Sequence, residues 1–423
     1  MTTPADNVIT ERADAPQSTG QWAVRWHGVV LFCLLCLSVP LWHLTWHGLL
    51  GHERPLVQTR DSASWPTFSL ASAIRARPGQ PPETPAAWMS QVERYLQSNS
   101  PIVWQLRGAY NEHRYQLGIY QSDAVYFGRD NWAYVAPTID PDLEILDRHA
   151  EERARFLQQV RERVEELGLS LVVTLVPDKV RIYPEYAYPD GQLPPGKAGV
   201  YGRLLAEFEA AGIATVDLAQ ALGVAKQAAD QPVYYARDSH WRATGALAAA
   251  TATAAWIESN VPASELGARL PTELGPGRSV FGLSDIVAVA GFRTFEQDTG
   301  GEYPKTLPAS RVAALLSQTK NYYAVQVAGQ PPIRMLAPEV LEQARVLQAG
   351  TSFSGDNGAA ALRLVLGRPV ETELVPGADG LQPLAECLRR AAAEPGRYRV
   401  LVWEIVERGL FSGAWQRIDR FTW

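Results

Sequence analysis

The feature that most limits how this chain can fold is a helix-period run that stops at a glycine and passes at once into an apolar strand. From Asp140, the residues Leu143, Leu146, Ala150, Ala154, Leu157, Val160, Val164 and Leu167 recur at helical spacing, and Gly168 follows as a stop. Leu169 to Val176 is then broken only by Ser170 and Thr174. A strand apolar at both odd and even positions has to be covered on both faces. That is the condition of a parallel sheet packed between helices.

The same alternation continues down the chain. A helix near Gly199 to Ala211 ends at Gly212 and leads to a strand at Ile213 to Leu218. Val233 to Tyr235 is β-like, and a helix runs from the Asp238-Ser239-His240-Trp241 segment to about Ile257. Arg345 to Ala349 reads as a strand followed by a helix from about Asn357 to Leu366. Leu381 to Ala393 is a helix, and Tyr398 to Trp403 the last strong strand. Strands and helices in alternation define an α/β domain with a largely parallel sheet. Residues 260–340, rich in Gly, Pro, Tyr and Thr, break the pattern and read as an insertion near the sheet edge; Tyr323 to Val327 is a short β-like run within it. With 46% hydrophobic and 20% charged residues the chain is globular. A net charge of −6 and the lack of a long basic run argue against a nucleic-acid partner.

No Asp, Glu, Lys or Arg occurs between Arg25 and Glu53, and Trp22, Trp26, Trp42 and Trp46 flank the apolar stretch. About 20 apolar residues suffice to cross a bilayer core, and indoles seek its interfaces. Residues 28–50 are therefore expected to form a transmembrane signal anchor. A cleaved signal peptide is the alternative, but the apolar core is long and no clean small-x-small site follows. Arg12 and Arg25 precede the span, so residues 1–27 are expected to be cytoplasmic and the body to lie on the outer side of the membrane. Residues 51–120 would be a stalk and lead-in, Pro- and Ser-rich as far as 90, and 121–423 the folded domain.

Histidine is scarce, so elimination is possible. Of seven histidines, His27, His43, His47 and His52 lie in or beside the anchor. His113 and His149 sit among charges and read as surface residues. His240 follows Asp238 by two residues, at a junction between a β-like run and a helix, where α/β folds place their sites. The second feature is Gly350-Thr351-Ser352-Phe353-Ser354, directly after a strand and before a helix. Gly350 permits a tight turn, and the amides there could face an oxyanion. A serine hydroxyl needs a base, and the base an orienting carboxylate. His240 and Asp238 could supply both. Taken singly, a serine in such a position is usually a helix cap, and an Asp-x-His a surface loop. Metal binding is disfavoured: of Cys33, Cys36 and Cys387, the first two lie in the apolar run, so the body lacks a thiolate pair, and it has few histidines. No cofactor is expected.

These residues resemble the alginate O-acetyltransferases of the AlgJ/AlgX type, whose fold is SGNH-hydrolase-like. The resemblance covers about residues 120 to 410. It rests on Asp238-x-His240-Trp241 followed much later by Gly350-Thr351-Ser352-Phe353-Ser354, with Gly128-Arg129-Asp130-Asn131-Trp132 and Val176-Pro177-Asp178-Lys179 in support. It implies a three-layer fold with a circularly permuted motif order, because ordinary SGNH hydrolases place the serine first. It also implies Ser352 as nucleophile, His240 as base and Asp238 as its orienter, with Ser354 a helix cap. The oxyanion donors are expected to be the Ser352 amide and a glycine, Gly377 or Gly380, after the next strand. Trp241 is either a wall of the site or, more simply, a core indole.

The implied activity is transfer of acetyl to hydroxyls of an exported exopolysaccharide, alginate-like or neutral, beside a membrane-embedded acyl carrier protein. A periplasmic carbohydrate acetylesterase with the same site is the second reading. A non-catalytic polysaccharide-binding assembly protein is the third.

Overall fold

The computed structural model describes residues 101–120, 122–141, 143–282, 284–286, 290–292, 311–329, 331–375, 380–411 and 415. Its strands are β1 (Val125–Phe127), β2 (Ala133–Val135), β3 (Ser170–Val176), β4 (Ala214–Asp217), β5 (Thr272–Gly282), β6 (Gln318–Val327), β7 (Ile333–Arg334), β8 (Val346–Gly350), β9 (Val370–Leu374) and β10 (Val400–Val406). The long helices that cover them are α1 (Ala150–Glu166), α2 (Pro195–Ala210), α3 (Leu218–Ala228), α4 (Ala243–Asn260), α5 (Ala359–Leu366) and α6 (Leu381–Ala393). All of these belong to one unit, spanning 108–294 and 306–423.

The central sheet has the order β4-β3-β10-β8-β9, and every pairing in it is parallel. Successive side chains alternate between its faces. On one face Val172, Val346, Val400 and Val402 pack with Leu222 of α3, Ala250 and Ile257 of α4 and Leu362 of α5. On the other, Val173, Leu347, Leu401 and Trp403 pack with Leu157 and Val160 of α1, Leu204 of α2 and Leu384 and Leu388 of α6. The result is a three-layer α/β sandwich. It explains why β10 is buried at all seven positions: it is the middle strand, although it comes last in the chain. The thiol of Cys387 is free and buried in the second of these layers, where desolvation raises its pKa far above the usual thiol range.

Four sequence expectations need correction. The helix expected over 140–167 is two pieces, Leu143–Arg148 and Ala150–Glu166, broken at His149, which stands at the boundary with its Nδ1 2.8 Å from Glu152 Oε2. The break is fixed because buried Arg153 donates to the Leu146 carbonyl and pairs with Glu207 of α2. Val233 to Tyr235 is not a strand of the sheet; Tyr234 makes only an isolated bridge to Trp241. The helix expected from Asn357 begins at Ala359, after a wide helical turn over Ser354–Gly358 in which Asn357 takes φ 73°. Ser354 caps nothing, its hydroxyl being bonded elsewhere.

Within the expected insertion, β5, β6 and β7 form a separate antiparallel sheet. Val325 and Met335 of this region seat against Ala360 and Leu364 of α5. The expected anchor, 28–50, lies outside the described residues. Among the described residues no helix is long and apolar enough to cross a membrane.

Candidate active site

Ser352 stands two residues past the end of β8, on a turn built from below. The carboxylate of Glu404, on neighbouring β10 and fully buried, accepts the Thr351 amide (2.8 Å) and hydroxyl (2.6 Å) and the Ser354 amide (3.1 Å) through Oε1. Its Oε2 accepts the Ser354 hydroxyl at 3.0 Å, and that hydroxyl in turn accepts from Gln348. Burial raises the Glu404 pKa above the usual carboxyl range, even against these donors. Gly350 is required at the base of the turn: a Cβ there would lie 2.5 Å from Ser354 Oγ. With both flanking residues fixed, Ser352 is the partly exposed member of the turn.

The second half of the site comes from the segment before α4. Nδ1 of His240 is 2.6 Å from Asp238 Oδ1, which also accepts the His240 amide at 3.0 Å. Nε2 of the same ring is 2.7 Å from Ser352 Oγ. An ionised carboxylate can only accept, so Nδ1 carries the ring proton and donates it to Asp238. Nε2 is left with a lone pair to accept the Ser352 hydroxyl. The three residues singled out in the sequence are thus joined in one hydrogen-bonded line.

Three further charged groups escaped the sequence reading. Asp356, four residues after the serine, places Oδ2 at 3.1 Å from His240 Nδ1. Asp285 places Oδ2 at 3.5 Å from the same atom and also binds the amide and hydroxyl of Ser239. Lys320 of β6 pairs with Asp356 and, at 3.2 Å, with Asp238 Oδ2. Burial opposes the ionisation of Asp238, but the His240 hydrogen bond and the charges of His240 and Lys320 outweigh it and hold its pKa below the usual range. Burial likewise opposes protonation of His240. Here the Asp238 hydrogen bond and the charges of Asp285, Asp238 and Asp356 outweigh it, leaving the imidazole more basic than usual. Of these residues, Asp356 alone carried a local signal, its nearness to the Ser352 turn. Lys320 and Asp285 lie in the irregular 260–340 stretch.

Asp238, His240 and Asp285 bring ligand-type atoms within 4.8 Å of one another. They do not read as a metal cage, because the Lys320 ammonium already holds the outer oxygen of Asp238 and the second ring nitrogen of His240 faces Ser352. Trp241 is buried, and its Nε1 donates to the carbonyls of Phe353 (3.1 Å) and Asp356 (2.9 Å), so it ties the two halves together from beneath. Gly380 starts α6 at φ 88°, its carbonyl accepting from Trp403; Gly377 lies outside the described residues. His113 is exposed on a helix remote in sequence from this cluster.

A five-stranded parallel sheet between helical layers, with a serine, a histidine and an aspartate in line at one strand end, defines an SGNH hydrolase-like protein. The family model for the SGNH hydrolase-like domain of the acetyltransferase AlgX matches residues 125–407. The chain belongs to that acetyltransferase family. It is 26% identical over 328 residues to a Pseudomonas fluorescens protein named probable alginate O-acetylase AlgJ, covering 76% of this chain and 77% of that one. A Pseudomonas aeruginosa protein of the same name is 27% identical over 300 residues, covering 68% and 70%. Among solved structures, the O-acetyltransferase domain of Pseudomonas putida AlgJ shares the fold, with a TM-score of 0.53, 22% identity and coverage of 70% of this chain and 99% of that domain.

Proposed function

We propose that the chain transfers acetyl groups to hydroxyls of an exported exopolysaccharide through an acetyl-serine intermediate on Ser352. The observation that carries this reading is the line Asp238–His240–Ser352, with contacts of 2.6 Å and 2.7 Å. Ser352 Oγ attacks the acetyl carbonyl of the donor while His240 Nε2 takes its proton, and the imidazolium is stabilised by Asp238. Collapse of the tetrahedral adduct breaks the bond to the donor's leaving group, which receives the proton from His240. A sugar hydroxyl then attacks acetyl-Ser352, its proton passing to His240 and on to the departing Ser352 oxygen. The Ser352 amide is assigned as one oxyanion donor, and Gly377 or Gly380 as the source of the second.

The acceptor is alginate, as the names of the relatives suggest, or a neutral exopolysaccharide, which the acidic charge balance of the chain suits equally well. The anchor at 28–50 would hold the domain in the periplasm, next to a membrane-embedded acyl carrier protein that supplies acetyl. A reporter fused after residue 60 that is active only in the cytoplasm would overturn this topology.

The test is acetyl release from a chromogenic ester, then acetyl transfer to purified polysaccharides, by wild type and Ser352→Ala. Loss of both in the variant supports the reading, and wild-type rates in Ser352→Ala reject it. Hydrolysis with no transfer to any polymer selects the acetylesterase. No turnover by the wild type with either substrate selects a binding role.

A further inference from the structure

Two segments noted in the sequence, Gly128 to Trp132 and Val176 to Lys179, have no part in the line of three residues. The fold brings them together under it. Lys179 follows the end of β3 by three residues, is 5% exposed, and donates through Nζ to three backbone carbonyls: Tyr235 (3.1 Å), Ala236 (3.0 Å) and Asp238 (2.8 Å). The rings of Trp132 and Tyr134, just before and on β2, lie 5.6 Å and 5.0 Å from the same nitrogen. Trp132 is stacked on Tyr186, and the Tyr134 hydroxyl is tied to the Tyr183 carbonyl, so neither ring is free to turn away. The Ala133 amide adds a second bond to the Ala236 carbonyl, at 2.8 Å.

We propose that Lys179 is a positioning residue, whose ammonium holds the Tyr235–Asp238 segment so that the Asp238 carboxylate is set against His240. The count of donors and acceptors carries the inference. Three carbonyl oxygens converge on one nitrogen, and only the ammonium has three N–H groups to meet them. A neutral amine has two, and its lone pair would face the third oxygen. The segment's geometry therefore depends on the proton that Lys179 holds.

Several groups bear on that proton. Burial presses the Lys179 pKa down to about 7, opposed by the negative charges of Asp238 and Asp285 and reinforced by the positive charge of Arg408. The faces of Trp132 and Tyr134 favour the cation. As pH rises past this value the ammonium is lost, and with it one of the three contacts of Lys179, a lone pair then facing a carbonyl oxygen. Catalysis requires the opposite change at His240, which has to be neutral to act as base. The two groups together give a bell-shaped pH profile: His240 sets the acid limb and Lys179 the alkaline one.

The inference rests on Ser352 and His240 acting as proposed above, so Ser352→Ala is measured alongside as the blank. The experiment is the pH dependence of kcat and KM for chromogenic acetyl ester turnover by wild type, Lys179→Met and Lys179→Arg in the full-length chain. Methionine keeps the length of the stem and removes every donor. Expected are a fall in kcat of about 100-fold with KM little changed, as for a misplaced catalytic group, and loss of the alkaline limb while the acid limb stays. Lys179→Arg should recover part of kcat but show no alkaline limb, because the guanidinium does not titrate. A folded Lys179→Met with wild-type kcat, or with the wild-type alkaline limb, overturns the proposal. Should Lys179→Met not fold, Trp132→Phe decides: a smaller ring over the ammonium moves the alkaline limb to lower pH, and an unmoved limb overturns the inference. Activity surviving in Ser352→Ala would instead remove the reading on which it rests.

Discussion

The buried carboxylate of Glu404 grips Thr351 twice, by its amide at 2.8 Å and its hydroxyl at 2.6 Å. That places the residue before the serine in a fixed relation to the middle strand of the sheet. The serine is carried by a loop, but the loop is anchored to a strand buried at all seven of its positions. A site that must hold an oxygen within hydrogen-bond reach of an imidazole needs this support from rigid elements.

Removing that grip should cost both stability and rate. Glu404→Ala takes the acceptor from the buried amide and hydroxyl of Thr351 and from the Ser354 hydroxyl, at about 1–3 kcal/mol for each group left unsatisfied. Urea unfolding should show a marked fall in midpoint, and ester turnover should be lost with it. A variant of unchanged midpoint and activity would show that the turn holds itself.

Gly350→Ala tests the same turn sterically. The new methyl would sit 2.5 Å from Ser354 Oγ and 2.7 Å from Ser354 Cβ. Overpacking of this kind costs about 1–3 kcal/mol, and relief requires the turn to move. A drop in kcat greater than the change in KM is the expected signature, read by steady-state kinetics.

Asp238→Asn keeps the shape of the residue while removing the acceptor-only carboxylate that fixes the ring proton on His240 Nδ1. The amide can donate to Nδ1, which would place the proton on Nε2, facing Ser352 Oγ. A loss of about 10⁴-fold in kcat is expected, by the magnitude seen when the same change is made in serine proteases. Little loss would mean that Asp356, 3.1 Å away, can take over the orienting role.

Lys320→Met should move the acid limb of the pH profile. The imidazole is already more basic than usual, its hydrogen bond to Asp238 and the nearby carboxylates outweighing burial. Lys320 offsets part of that negative charge through Asp238 and Asp356. Without the ammonium, the protonated imidazole is favoured further, so its pKa rises. His240 must lose its proton to act as base, and the acid limb therefore shifts to higher pH. Titration of kcat/KM in wild type and variant checks the sign.

Much of the architecture was legible in the chain because burial on both faces leaves a mark that needs no knowledge of neighbours. The apolar runs of β3 and β10 and the glycine stops at Gly168 and Gly212 are local facts, and they located the alternation to within a few residues. The residues of the central line were legible for a different reason. Histidines are so few that His240 stood out by elimination, and Gly350 to Ser354 has the composition of a tight strand-to-helix turn.

The supporting groups were not legible, because each is meaningful only through a partner far away in sequence. Glu404 sits in an apolar run, where a single carboxylate looks like an interruption, until β10 is seen to lie beside β8. Lys320 and Asp285 belong to a stretch without periodicity, and only the docking of β6 onto the Asn357 turn, through the Tyr323 amide and the Asn357 side chain, brings that region to the site. Lys179 looked like one member of a motif with no stated role. The sequence by itself determined the layers, since hydrophobic patterning is written residue by residue. Which charges face His240, and which backbone segments are pinned beneath it, was decided by tertiary structure alone: electrostatic and hydrogen-bonding partners are chosen by distance in space, and the chain order does not record that distance.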